Sequence, residues 1–432
     1  MDGCHLHIGN GIMNIKKSQS RSMLTDIKFQ NYKCLDNQAF FFKGINVFCG
    51  YNGRGKSSVI QAILMLSQSI DKSNINSLEK LHLNGALVNL GDLDEIFSDI
   101  SDPTDGSNWK VSFNLGIENT GDPHDITFGY KLEDDFKIGA MCECVIDGED
   151  YFDVVGGNSV INTNTSTRGL NKQLPNYINQ LLSRQNVHYI SANRRGPVKF
   201  EEKKEKPDYY SVGTEGSFTI NTMALYPEKV DVRMNVDQQN QQELSLEDAI
   251  TSWISFIMSG GSVSVQGKNT YGDIGTQKKS SILSLSFHMQ NAQKRFFNSY
   301  NVGFGYSYIL PIIVSALIAK EGNILIVENP EAHLHPEAQV RLTYLLAQLA
   351  SRGVQVFIET HSEHVVNGLR LAILKKEYKI CNDDIRIYFF DEDYSIKPLI
   401  VERNGRIKNW PKHFFDQYQN ELAEILTLGS KI

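Results

Sequence analysis

Gly50-Tyr51-Asn52-Gly53-Arg54-Gly55-Lys56-Ser57 has the spacing G-x-x-x-x-G-K-S, and its flanks decide how it is read. Gly44-Ile45-Asn46-Val47-Phe48-Cys49 before it reads as a buried strand. Ser58-Val59-Ile60-Gln61-Ala62-Ile63-Leu64-Met65-Leu66 after it reads as an apolar helix. A strand, a glycine loop and a helix in this order make a phosphate loop. The glycines let backbone N–H groups converge on a polyphosphate, and the helix N-terminus adds positive potential. Asn52, Gly53, Gly55 and Ser58 would line a nucleoside triphosphate. Lys56 would reach its β- and γ-phosphates, and the Ser57 hydroxyl would hold Mg2+.

A length of 432 residues allows two or three packed units. No apolar run reaches membrane-spanning length; Ile309–Ala319 and Ile324–Val327 are too short. Residues 1–22 carry no signal-type apolar core and read as a disordered leader. The six cysteines include no C-x-x-C pair, so Cys142 and Cys144 read as strand neighbours rather than zinc ligands. Reduced thiols point to the cytoplasm. A net charge of −7 argues against a protein that coats nucleic acid, though a local basic groove stays open.

The expected architecture is α/β, with one nucleotide-binding head assembled from both chain ends. Residues 23–100 supply its N-terminal part. Residues 101–216 form a β-rich lobe and connecting segment, and turns at Gly121-Asp122-Pro123, Asp147-Gly148 and Gly156-Gly157 punctuate its antiparallel strands. The tract Asn158–Arg168 reads as an exposed loop. Residues 217–300 read as a helical insertion, with helical periodicity at Leu244–Ile257 and Ser280–Asn291. Residues 301–375 complete the head, and 376–432 form a small C-terminal domain. Arg194 and Arg195, just past the strand Val187–Ile190, suit contact with phosphate or nucleic acid and equally suit plain surface charge.

The second half of the site begins at Gly303-Phe304-Gly305-Tyr306-Ser307-Tyr308, which leads into an apolar helix Ile309–Lys320 with Pro311 in its first turn. Then comes Ile324-Leu325-Ile326-Val327-Glu328-Asn329-Pro330-Glu331, a buried strand that ends in acid. Glu328 is placed there to organise Mg2+ with Ser57. Ala332-His333-Leu334-His335-Pro336 lacks the H-E-x-x-H spacing, so a helix start explains it better than a metal site. A further buried strand, Val354–Ile358, ends in Glu359-Thr360-His361-Ser362.

Taken in order, these motifs resemble the SMC- and OLD-like branch of the ABC ATPases. Within it the chain is similar to predicted bacterial ATPases with a short extra C-terminal domain and to antiphage-defence ATPases of the Septu type. Ser191–Pro197, Val212-Gly213-Thr214-Glu215-Gly216 and Asn404–Asp416 share in the likeness. The resemblance implies an ATPase whose heads sandwich ATP and Mg2+ in a homodimer or larger homo-oligomer. Lys56, Glu328, His361 and a general base would act in one subunit, while Gly305 and Ser307 would complete the site of the other. It also implies control of a co-encoded nuclease in bacterial antiphage defence. The alternatives are an ATP-binding scaffold with negligible turnover and a repair-type ATPase acting directly on nucleic acid.

Two departures stand out. No glutamine occupies the Mg2+-sensing position after the first helix, which leaves Asp92 or Asp94 as stand-ins. Asn329 stands where the general base belongs and cannot accept a proton, so Glu331 is assigned that role.

Asp391-Glu392-Asp393 is an acidic run, but the chain after His361 is too short for an OLD-type nuclease domain, and the run reads as a hairpin turn before Ile396–Val401. The purified chain is accordingly expected to leave DNA intact with Mg2+ or Mn2+. Metal-dependent cleavage abolished by Asp391→Ala would overturn that reading.

Overall fold

The computed structural model describes residues 22–70, 78–98, 110–132, 138–154, 168–267, 282–289, 295–412 and 414–429. The expected leader up to residue 21 and the tract at 158–167 lie outside them. In chain order, β1 (Ser22–Gln30), β2 (Ala39–Phe41) and β3 (Ile45–Gly50) precede α1 (Lys56–Ser69) and β4 (Lys80–His82). Next come β5 (Lys110–Asn119), β6 (Asp122–Leu132), β7 (Ile138–Ile146), β8 (Glu149–Asp150), β9 (Phe152–Val154), β10 (Arg168–Leu170) and α2 (Asn176–Leu182). The middle holds β11 (Val187–Ile190), β12 (Glu201–Glu202), α3 (Thr219–Leu225), α4 (Leu246–Ile257), β13 (Ser262–Gln266), β14 (Ile282–His288) and β15 (Phe296–Phe297). Last are α5 (Phe304–Ile318), β16 (Ile324–Glu328), α6 (Pro336–Ser351), β17 (Gln355–Glu359), α7 (Glu363–Leu374), β18 (Ile385–Phe390), β19 (Ile396–Leu399) and α8 (Gln417–Gly429).

Strands β3, β16 and β17 are apolar along nearly their whole length, the pattern of strands covered on both faces. They form the centre of a sheet ordered β11-β16-β17-β3-β18-β19, parallel except for the final antiparallel hairpin. On one face Val47, Leu325, Val327, Val356 and Ile358 pack with α4 to α7. On the other, Phe48, Ile324, Ile326 and Phe357 pack with α1 and the β lobe. Because β18 pairs directly with β3, residues 385–399 are part of the head itself. The turn between β18 and β19 holds Asp391, whose carboxylate pairs with Lys397 at 2.5 Å.

The lobe is an antiparallel sheet ordered β2-β1-β5-β6-β7-β4, so the first strands of the chain belong to it. Cys142 and Cys144 are neighbours on β7, as their spacing implied. Gln355, 3 % exposed at the start of β17, fastens the lobe to the head. Its Oε1 accepts from Leu24 N at 3.1 Å, and its Nε2 donates to Leu24 O at 2.7 Å and Lys43 O at 3.1 Å.

Two sequence expectations are corrected here. Within the expected helix Ser280–Asn291, the described part is a strand instead: in β14, Leu283, Leu285 and Phe287 point inward and alternate with serines. Period-two alternation wins because β13 supplies a matching edge, and β12-β14-β13 form a small sheet beside α3 and α4. The apolar helix begins at Phe304, so Pro311 lies two turns inside it rather than in its first turn. Without an N–H, Pro311 cannot bond the carbonyl of Ser307, and its ring packs against the backbone of Gly216 instead.

Truncating Gln355 leaves buried backbone groups of the lobe without partners. Gln355→Ala is therefore expected to destabilise the chain by about 2–4 kcal/mol, read as a lower midpoint in urea denaturation. An unchanged midpoint would mean apolar packing alone holds lobe to head.

Candidate functional site

The phosphate loop takes its shape from contacts that only glycine permits. At Gly50 φ is +119°, and a Cβ there would lie 2.2 Å from the carbonyl oxygen of Phe390. That oxygen accepts from Tyr51 N at 2.9 Å, so the loop is anchored on β18. Gly55, in the left-handed region at φ +98°, caps α1, and a Cβ would press on Cys34 and Leu35. Asn52 and Gly53 are exposed at the tip of the loop. The Ser58 carbonyl accepts from Tyr32 Oη at 3.2 Å. Arg54 is drawn to the β18–β19 turn, where Nε donates to Glu392 O at 3.0 Å and the guanidinium lies 4.1 Å from the Tyr394 ring centre.

Lys56 is 4 % exposed, and its Nζ donates to the carbonyls of Gly50 at 3.1 Å and Tyr51 at 2.6 Å. Burial lowers its pKa, with the Glu359 charge opposing. Ser57 Oγ donates to Glu359 Oε1 at 2.9 Å. Glu359 ends β17 directly beside Glu328 at the end of β16. Burial pushes its carboxyl up to about 7; the Ser57 bond opposes this and the Glu328 charge adds to it. Its second oxygen is buried and has no hydrogen-bond partner among the described residues.

Glu328 accepts from Tyr189 Oη at 3.0 Å and Ala192 N at 3.1 Å. Glu331 accepts from Thr360 Oγ1 and from His361 N, both at 2.8 Å. Burial and the Lys56 charge both lower the pKa of the exposed His361 and so favour the neutral imidazole, against the opposing pull of Glu331. Asn329 sits at φ +44°, a left-handed conformation that asparagine adopts more readily than glutamate. His335 caps α6 through Nδ1, and His333 lies 4.4 Å from the Tyr308 ring.

Two cavities open onto these groups. One of about 450 Å³ is bounded by Glu331, Gln339, His361 and Ser362; another of about 310 Å³ by Gly50, Tyr51 and Asn52. His361, Phe415 and Gln417 line both. The structure thus draws together Lys56, Ser57, Glu328, Glu331 and His361, and adds three residues. Glu359 and Tyr189 were not singled out by sequence, and Arg194 was left undecided between phosphate and surface. The signal for Glu359 was an acid closing an apolar strand, the same signal that marked Glu328.

Other expected groups stand apart. Asp92 sits at the N-cap position of a short 3-10 turn and Asp94 lies within it, and no hydrogen bond among the described residues joins either side chain to the loop or the strand-end acids. At the start of α5, Gly305 and Ser307 face inward, Ser307 only 9 % exposed, while Phe304 is 57 % exposed.

The hydroxyl of Ser57 and the carboxylates of Glu328 and Glu359 form an all-oxygen set, which suits Mg2+. Among the described residues no three His, Cys, Asp or Glu side chains make a metal cage by themselves. That is consistent with a cation shared between one or two carboxylates and substrate phosphates.

A family model described as "AAA domain, putative AbiEii toxin, Type IV TA system" matches residues 45–367, and one described as a protein of unknown function (DUF3696) matches residues 380–425. No curated protein matches the chain. Among solved structures, the SMC head domain from Thermotoga maritima is 12% identical with a TM-score of 0.41, covering 88% of this chain and 99% of its own. An Smc head domain with an extended coiled coil, bound to the C-terminal domain of ScpA and derived from Pyrococcus furiosus, is 10% identical with a TM-score of 0.47, covering 94% and 99%. The recombination mediator protein RecF-ATPrS is 13% identical with a TM-score of 0.40, covering 88% and 99%.

A proton on Glu359 competes with a cation for the same oxygens. With its carboxyl near pKa 7, Mg2+-dependent nucleotide affinity is expected to strengthen as the pH rises from about 6 to about 8. Titrations across that range should show the slope, and Glu359→Gln should flatten it.

Proposed function

The chain belongs to this AAA-domain family of AbiEii type, and we propose that it binds ATP with Mg2+, hydrolyses it slowly, and closes into a nucleotide-sandwiched dimer or larger homo-oligomer. The observation that carries the reading is the convergence of four motifs on one crevice. The phosphate loop, Glu328, Glu359 and the Glu331–His361 pair meet at the carboxyl ends of adjacent parallel strands. That is where open α/β sheets bind ligands.

The backbone of the loop and Lys56 hold the β- and γ-phosphates. Ser57, Glu328 and Glu359 hold Mg2+, which would neutralise charge on the phosphate oxygens. Glu331 orients water and accepts its proton, replacing Asn329. His361, kept neutral by burial and by Lys56, donates to the γ-phosphate. The first turn of α5, with Gly303 and Phe304 outward and Gly305 and Ser307 behind, closes on the nucleotide of a second copy. In that arrangement the γ-phosphate joins the two heads. The resemblance to antiphage ATPases supports control of a nuclease effector by the closed state. No helix among the described residues is long and apolar enough to cross a membrane.

Asn329 favours a second reading, an ATP-binding scaffold with negligible turnover. Steady-state phosphate release by the full chain separates the two. Lys56→Ala and Glu331→Gln are each expected to lower turnover by about 10²–10⁴-fold, and Glu331→Gln with ATP is expected to shift the chain to a larger species in size-exclusion chromatography. ATP binding without release in the unmodified chain would establish the scaffold. Release stimulated by DNA in the absence of any partner would point to a repair-type ATPase.

A further inference from the structure

Beyond β11 the segment Ser191–Pro197 crosses the end of β16 and is laced to Val212–Gly216: Ser191 N donates to Thr214 O, and Arg195 N to Glu215 O. Within it, Arg194 is only 3 % exposed, which is unusual for an arginine that has no ion pair among the described residues. Its Nη1 donates to the carbonyls of Glu328 at 2.7 Å and Ser191 at 3.2 Å, and its Nη2 to the carbonyl of Asn329 at 2.6 Å. The fork therefore grips the successive carbonyls of Glu328 and Asn329 and leaves the neighbouring carboxylates to their own hydroxyl and N–H partners. An arginine serving only stability would more naturally take a carboxylate.

A second contact leads away from the acids. The Arg194 guanidinium lies 5.7 Å from the ring centre of Tyr308, one turn into α5, and that ring lies 4.4 Å from His333. His333 is left-handed at φ +61°, and its carbonyl would lie 2.8 Å from a Cβ at Gly305. The turn from Asn329 to His333, which carries Glu331, is thus held by Arg194 at one end and by the first turn of α5 at the other.

We infer that Arg194 is a positioning residue that aims Glu328 and Glu331 into the crevice and, through Tyr308, ties their setting to the first turn of α5. This rests on the reading of the crevice as an ATP–Mg2+ site and extends it. Whatever closes on the start of α5 also bears on the acids of the same subunit, so the two ends of one head are coupled.

The test is ATP binding to the full chain, measured by calorimetry with Mg2+ and with a chelator. Lysine keeps the charge but loses the planar fork. Arg194→Lys is expected to cut the Mg2+-dependent gain in ATP affinity roughly 10-fold while affinity in chelator stays within about 2-fold, as for other residues that orient metal ligands. Tyr308→Leu should reduce the same gain by a smaller factor, and Tyr308→Phe should keep it; this pair decides if Arg194→Lys does not fold. A gain unchanged in Arg194→Lys, losses equal with and without Mg2+, or no gain in the unmodified chain would each overturn the inference. Lys56→Ala that binds ATP as tightly as the unmodified chain would instead overturn the nucleotide-site reading beneath it.

Discussion

The site depends on the register in which β16, β17 and β3 pair. Across this ladder Glu328 faces Glu359, and Glu359 faces Phe48. The bonding runs on past the strands, with Asn329 N donating to Glu359 O and Thr360 N to Phe48 O. A slip of one residue would turn both acids to the opposite faces of the sheet. Apolar packing prevents it, because the alternate residues of each strand already fill separate cores on the two faces. Helices against one face and aromatic rings of the lobe against the other hold three strand ends at one level. The loop, the Glu328 and Glu359 carboxylates and the Glu331–His361 pair then share a single crevice.

The charges gathered there are held by neutral groups. Hydroxyls of Ser57, Thr360 and Tyr189 and the N–H groups of Ala192 and His361 hold the three carboxylates. Among the described residues none of Glu328, Glu331 and Glu359 makes a salt bridge to lysine or arginine. Lys56 likewise rests on carbonyls, and Arg194 on the main chain. Positions are set this way without cancelling charge. Burial and the mutual repulsion of the acids raise Glu359, a cost that a bound cation relieves.

The C-terminal segment takes part in this arrangement. Phe390 supports Gly50, the β18–β19 turn holds Arg54, and Phe389 packs against Tyr51 and Phe414. Phe415 and Gln417 then wall the cavities beside His361. From that wall α8 extends with Leu422, Ile425 and Leu426 exposed. The cavity wall and the exposed apolar residues of α8 are therefore separated by only a few residues.

Local sequence was sufficient wherever the chemistry follows from spacing along the chain. The phosphate loop must be glycine-rich between a strand and a helix, and Glu328 must close an apolar strand; both are nearest-neighbour facts. The hairpin at Asp391–Asp393 and the capping role of His335 are equally local. Tertiary structure decided whatever depends on which strands lie side by side. Glu359 is more than three hundred residues from Ser57, and only the β17–β3 pairing makes them partners. Arg194 stays divided between phosphate contact and surface charge until the end of β11 is set against β16, where every hydrogen bond its fork makes among the described residues goes to a carbonyl. Ile282–His288 shows the same limit from the other side, since a strand at β14 needs the edge of β13 to form. Hydrogen bonds between distant strands leave no periodicity in either partner. Which residues face each other at the site is therefore fixed by packing, and the chemical character of each by its neighbours along the chain.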